Sequence, residues 1–202
     1  MANQRNVFDT KSQQSDVAAK IVVGLERISE AFRVLLWEHG KTSGLSPIQI
    51  QILIFIQYHS DNLCGVSYLA KEFNLSKPTV SDAVKSLQSK GYVTKEPSSS
   101  DSRSHIIMLT QEGRKIAKSV EGFALPIKDK IDQLNDEEQL DLLDHITKIV
   151  YRLNRSGIIT VQRTCYACKY YESSENGHYC NLLKSPLANS DIRIDCPEFE
   201  VR

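Results

Sequence analysis

The stretch Leu75-Ser-Lys-Pro-Thr-Val-Ser-Asp-Ala-Val-Lys-Ser-Leu-Gln-Ser-Lys-Gly-Tyr-Val-Thr-Lys-Glu-Pro-Ser-Ser-Ser-Asp-Ser-Arg-Ser-His-Ile-Ile-Met-Leu-Thr110 reads as a helix followed by a two-stranded hairpin. Ser76 is a good N-cap, and Val80, Val84 and Leu87 recur at four and three residues, so one face of the helix is apolar and turns inward. Pro78 falls in the first turn, where a missing N–H costs nothing because those donors have no partner inside the helix. Gly91 ends the helix. Tyr92 to Glu96 and His105 to Thr110 then read as strands, and the polar segment from Pro97 to Ser104 reads as the turn between them.

The polar residues of this stretch fall where a DNA surface would need them. Ser76, Lys77, Pro78, Thr79, Ser81 and Lys85 occupy the N-terminal half of the helix, which places hydroxyl and ammonium groups beside free backbone N–H groups. That composition suits phosphate oxygens and base edges. Asp101 and Arg103 lie two apart in a loop of otherwise small side chains, so Arg103 is free to enter a minor groove while Asp101 holds its orientation. Lys95 and Ser104 are further candidates for phosphate contact.

Ser-Lys-Pro-Thr-Val-Ser at a helix start, then Gly-Tyr-Val, Asp-Ser-Arg in the loop and Leu-Thr-Gln-Glu-Gly-Arg after it resemble, in that order, the MarR family of winged helix-turn-helix transcription regulators. The resemblance covers about residues 16–155. It implies a mainly α fold with a small β wing, helical arms that pair two chains, a palindromic operator of double-stranded DNA and no enzymatic activity. Asp101 and Arg103 match the family's wing residues. Family members take small ligands near the positions of Trp37, His39 and Tyr58, but here those residues read as ordinary core and helix-end positions.

The rest of the chain supports this plan. From Val17 the apolar positions Val17, Ile21, Leu25, Ile28, Phe32, Leu35 and Leu36 define a long amphipathic helix ending near Gly40. Ile48 to Ile56 alternates like a strand, yet Ser46, Pro47 and Gln49 form a capping box with Pro at the first helical position, which decides for a helix. Gly65 to Phe73 is a short helix, and Asn74-Leu75-Ser76 is the turn of a helix-turn-helix. Ile116, Val120, Phe123, Ile127, Ile131 and Leu134 make a further stripe with an expected kink at Pro126. Asn135 with Glu138 caps a last helix that runs to Gly157.

These patterns divide the chain into a lead without periodicity (1–15), a winged-helix domain (16–156) and a tail (157–202). Within the domain, 16–40 and 111–156 are the arms and 46–110 is the reading unit. Twenty-five cations balance twenty-five carboxylates. Gly65 to Arg114 carries seven cations against five carboxylates, so a single unit should bind DNA weakly and two copies on one duplex are expected. No apolar run approaches a membrane span and no signal peptide is visible, so a cytoplasmic setting is expected.

The tail carries four of the five cysteines. Cys165 and Cys168 form a Cys-x-x-Cys pair, Cys180 follows after eleven residues and Cys196 after fifteen more. Four thiolates suit a tetrahedral metal site, either structural zinc, the favoured reading, or an iron–sulfur cluster. Cys196-Pro197 and the neighbouring tyrosines keep the cluster open, and disulfides or free thiols are the plainer alternative. His178 is a spare candidate ligand, and Cys64 reads as a small buried residue. A metal site of this kind is either structural or a sensor of redox state or metal supply. The competing function is an electron carrier that uses the helix-turn-helix only as a scaffold. The histidines are scattered, and no nucleophile elbow, phosphate-cradling glycine loop or His-Glu-x-x-His pattern is present.

Overall fold

The computed structural model describes residues 6–97, 105–174 and 177–202. Asp101, Arg103 and Ser104 lie outside the described residues. A short helix α1 (Thr10–Gln13) precedes the long α2 (Val17–Ser43), and both begin on an aspartate whose side chain accepts a backbone N–H, from Lys11 in the first case and from Ala19 in the second. The lead therefore holds one helical turn that hydrophobic periodicity did not foretell, because Asp9 makes it by local capping.

Helix α3 (Pro47–Tyr58) starts on the expected capping box of Ser46 and Gln49. Then come α4 (Val66–Glu72) and α5 (Lys77–Ser89), the strands β1 (Val93–Pro97) and β2 (His105–Leu109), α6 (Gln111–Val120), α7 (Leu125–Ile131) and α8 (Asp136–Arg155). The strands pair antiparallel from Val93 opposite Leu109 to Pro97 opposite His105. Ile107 donates its N–H to Cys64 O at 2.9 Å, tying the hairpin to the loop before α4. One apolar core joins these parts, with Ile50, Ile52, Leu53, Leu69, Val80, Val84, Leu87 and Ile107 shut off from solvent.

The stripe from Ile116 to Leu134 is broken, not merely kinked. A 3-10 turn over Glu121–Ala124 separates α6 from α7, and Pro126 sits in the first turn of α7. A proline at that place needs no hydrogen-bond donor, so it starts a new helix at little cost. The α6 start is equally specific. Thr110 caps it by accepting from Gly113 N at 2.9 Å, while its hydroxyl donates to Gly91 O at 2.7 Å.

The tail folds as a separate layer against α4 and α8. A three-stranded antiparallel sheet, β3 (Tyr171–Ser174), β4 (Gly177–Cys180) and β5 (Ser185–Leu187), flanks a small cluster of Cys165, Cys168, Tyr171 and Ile192. Tyr166 donates to Asp144 on α8 at 3.2 Å, and Gln162 to Asn154 at 2.9 Å. None of the helices is long and apolar enough to cross a membrane, among the described residues.

Candidate nucleic-acid interface and cysteine centre

Packing of Val80, Ala83, Val84 and Leu87 into the core fixes the roll of α5 and turns its first residues outward. Ser76, Lys77, Pro78 and Thr79 are exposed and Ser81 is half-buried. Ser76 Oγ accepts from Thr79 N at 3.2 Å and lies 2.8 Å from Thr79 Oγ1. One hydroxyl thus caps the helix while its neighbour stands at the rim. Lys85 pairs with Asp82 at 3.1 Å, an exposed bond between side chains three apart on one helix. Such a pair is worth only about 0.2–0.5 kcal/mol, so a phosphate would readily displace the carboxylate. Lys95 is half-buried on β1.

The structure also ties the helix-turn-helix to the tail, through residues that sequence reading missed. Asn74, in the turn between α4 and α5, has a left-handed backbone with φ of +51°. Its amide donates to Ile158 O at 3.1 Å and accepts from the Thr160 hydroxyl at 2.5 Å. Nearby, Arg163 is only 8% exposed. It donates to both carboxylate oxygens of Glu72 on α4, at 2.7 and 3.1 Å, and to those of Asp195, at 2.5 and 3.1 Å. It reaches the Tyr68 hydroxyl at 2.9 Å and lies over the Phe55 ring, 5.4 Å from its centre. Burial works against the guanidinium charge, but the bonds to Asp195 and Glu72 outweigh it and hold the group charged. Asp195 likewise stays below the usual carboxylate range, because Arg163 and His59 more than offset its desolvation. A lone arginine two residues before a cysteine was the only signal for this cluster in the sequence.

Arg163 and Asp195 each stand beside the cysteines. The four tail cysteines, all free thiols, ring one cavity of about 40 Å³ together with Tyr170, Leu182 and Leu187. A tight turn carries Cys165 and Cys168, the end of β4 carries Cys180, and Cys196 donates its N–H to Arg163 O at 3.1 Å. Arg193 N donates to Cys165 Sγ at 3.2 Å, and its guanidinium approaches Cys196 Sγ at 3.9 Å. Burial pushes the Cys165 thiol up, partly offset by that backbone N–H. Among the described residues no group of three or more His, Cys, Asp or Glu is arranged so that it could hold a metal ion.

His178 is not part of the ring; its Nδ1 is 2.6 Å from the Tyr171 hydroxyl. Cys64 is buried in the main core, where desolvation and then Asp61 push its thiol up to about 11. His39 bonds back to Leu35 O, and Trp37 and Tyr58 are exposed.

Comparison with known proteins bears on the reading unit. Residues 43–104, from the end of α2 to just before β2, match the sequence profile of the MarR family. This part of the chain is similar to the MarR family. An uncharacterised HTH-type transcriptional regulator of Bacillus subtilis, YdgJ, is 27% identical over 137 residues, spanning 67% of this chain and 80% of that protein. The fold matches the S. aureus MepR–DNA complex with a TM-score of 0.58 at 20% identity, over 65% of this chain and 97% of MepR. A MarR transcriptional regulator from Methanosarcina mazei matches at 0.57 and 17% identity, over 69% and 98%. These likenesses cover the winged-helix part and establish its fold.

Proposed function

We propose that two copies of this chain bind a palindromic site on double-stranded DNA and control transcription there. The observation that carries the dimer is an apolar face that the single chain leaves in water. Val17, Ile21, Leu25, Ile28 and Phe32 on α2 are all 37–67% exposed, and Leu125, Ile131 and Leu140 on α7 and α8 are exposed as well. Burying each such side chain is worth about 1.5–3 kcal/mol, and a second copy offers the same face in return. MepR was crystallised with DNA. By analogy, the two α5 helices would enter successive major grooves about 34–36 Å apart, with Ser76, Lys77, Pro78, Thr79, Ser81 and Lys85 at the duplex. Lys95 and Ser104 would contact phosphates, and Arg103, steadied by Asp101, would enter the flanking minor groove.

The tail is proposed to hold a metal on Cys165, Cys168, Cys180 and Cys196. Arg163 favours a sensory role over a purely structural one, since it bonds to Glu72 of the reading unit and to Asp195 beside Cys196. Loss of the metal would loosen the segment that steadies α4 and the Asn74 turn.

Selection of bound fragments from a random DNA pool tests the first reading. Two-fold symmetric half-sites about 10–10.5 base pairs apart are expected. Asymmetric sites bound by single chains would overturn it. Titration of the selected DNA with and without a chelator tests the second: a severalfold change in affinity is expected, and equal affinity leaves the tail purely structural.

A further inference from the structure

We propose that the cleft between α4, the end of α8 and the start of the tail binds a small organic phosphate monoester, and that this ligand adjusts the reading unit. The cleft holds about 540 Å³, within the range of about 300–1,000 Å³ usual for small-molecule sites, and it lies where two structural units meet, as such sites tend to. Tyr68 and Lys71 reach it from α4, and Tyr151 and Arg155 from α8. The tail closes it.

Four cations border the cleft, Lys71, Arg155, Arg163 and Arg202, and no aspartate or glutamate side chain does. Two of the four are already engaged. Arg163 is answered by Glu72 and Asp195, and Arg202 donates to Tyr171 O at 2.9 Å. Lys71 and Arg155 are exposed, and among the described residues their side chains form no ion pair and no hydrogen bond. Their two charges match a phosphate dianion. Phosphate also offers three acceptor oxygens to these N–H groups, against two in a carboxylate.

Two hydroxyls add donors. Tyr68 Oη accepts from Arg163 at 2.9 Å, so its own proton is left for a further acceptor. The Tyr151 ring is held edge-on to Tyr166, with centroids 6.4 Å apart, and its hydroxyl has no partner among the described residues. The amides at the same wall are used up, since Asn154 donates to Ile159 O at 3.0 Å and accepts from Gln162 at 2.9 Å. Uncommitted donors with no acceptor beside them suit an anion. Val161, Phe199 and Val201 make the remaining wall apolar, which favours the body of a small ester over a duplex backbone that is polar along its length.

Lys71 is also the last link to the reading helix: its carbonyl accepts from Asn74 N at 3.2 Å, in the turn before α5. A ligand held by Lys71 and Arg155 together therefore couples α8 to that turn. The coupling rests on the DNA-binding reading above; the site itself does not.

The test is calorimetric titration of the full chain, without DNA and at fixed ionic strength, with phenyl phosphate, inorganic phosphate and benzoate. Phenyl phosphate should bind severalfold more tightly than either of the others. Lys71→Ala and Arg155→Ala should each weaken it by about tenfold or more, the loss of a charged hydrogen bond. Arg152→Ala, exposed on the same helix but outside the cleft, should leave it unchanged, and circular dichroism should show all three variants folded. No binding of phenyl phosphate, or an equal loss in Arg152→Ala, overturns the site. Benzoate as the tighter ligand overturns the phosphate assignment, and inorganic phosphate bound as tightly overturns the role of the apolar wall. With the selected DNA, saturating phenyl phosphate should shift the parent's affinity severalfold and leave that of Lys71→Ala unmoved. Unchanged affinity with phenyl phosphate bound overturns the coupling alone. A chain that binds phenyl phosphate but no DNA overturns the regulator reading and keeps the site.

Discussion

Arg163 and Glu72 are 91 residues apart in sequence and form a two-pronged ion pair of 2.7 and 3.1 Å. The pair sits where the tail meets α4, with Asp195 bound to the other side of the same guanidinium. Removing one partner of a buried pair costs up to about 3–5 kcal/mol, because the remaining charge loses its counterion. Asp195 is 45% exposed on its side chain and recovers part of that in water. Arg163→Met should therefore loosen the tail without unfolding the winged helix. Hydrogen exchange is expected to quicken in residues 66–76 and 158–168 while α3 keeps its protection. Unchanged exchange at 66–76 would show that the tail and the reading unit are independent.

The helix-turn-helix was legible from local chemistry because its decisive residues act locally. Ser76 and Ser46 cap their helices, Pro47 and Pro78 sit in first turns, and Val80, Val84 and Leu87 mark the buried side of α5. The break near Pro126 was legible only as a bend, since whether a helix restarts depends on what it packs against. The cysteine ring was visible as a count and a spacing. Its docking was not: the partners of Arg163 and Asn74 are set by tertiary approach of segments 84–95 residues apart. The wing tip with Asp101 and Arg103 lies outside the described residues.

Gly113 marks a second constraint that spacing alone did not expose. A Cβ built on it would lie 1.9 Å from Tyr92 O, a backbone atom that cannot swing aside. The glycine lets the first turn of α6 lie directly against the Tyr92 backbone that leads into β1. Gly113→Ala forces those elements apart, and overpacking of this kind costs about 1–3 kcal/mol. A fall in Tm on the order of 5 °C or more is expected by calorimetry. A Tm within a degree of the parent would mean that Tyr92 and the wing can yield.

The exposed stripe of α2 gives a test of the dimer that spares the core. Ile21 and Ile28 are 52% and 50% exposed, so replacing both by Glu should change the stability of the isolated chain little. Two buried carboxylates per chain would face the partner's carboxylates across the proposed interface. Sedimentation analysis should then give monomers at concentrations where the parent is dimeric, and DNA affinity should fall by roughly tenfold or more as the second half-site is lost. A dimer that survives both substitutions would place the interface elsewhere.

Lys77 and Thr79 stand together on the exposed first turn of α5, yet they should fail in different ways. An ammonium that neutralises a phosphate releases a counterion, contributing about 0.9 to the slope of log K against log salt. A dimer loses two such contacts in Lys77→Ala, so its slope should flatten by about 1.8 while its preference among DNA sequences is kept. Thr79 carries no charge and no counterion. Thr79→Ala should leave the slope alone and relax discrimination at one base position in each half-site, by about 1–3 kcal/mol if the hydroxyl reads a base edge. Salt titrations of both variants on selected and mismatched duplexes separate the two roles. A flattened slope for Thr79→Ala, or an unchanged one for Lys77→Ala, would mean that α5 meets the duplex with a different face.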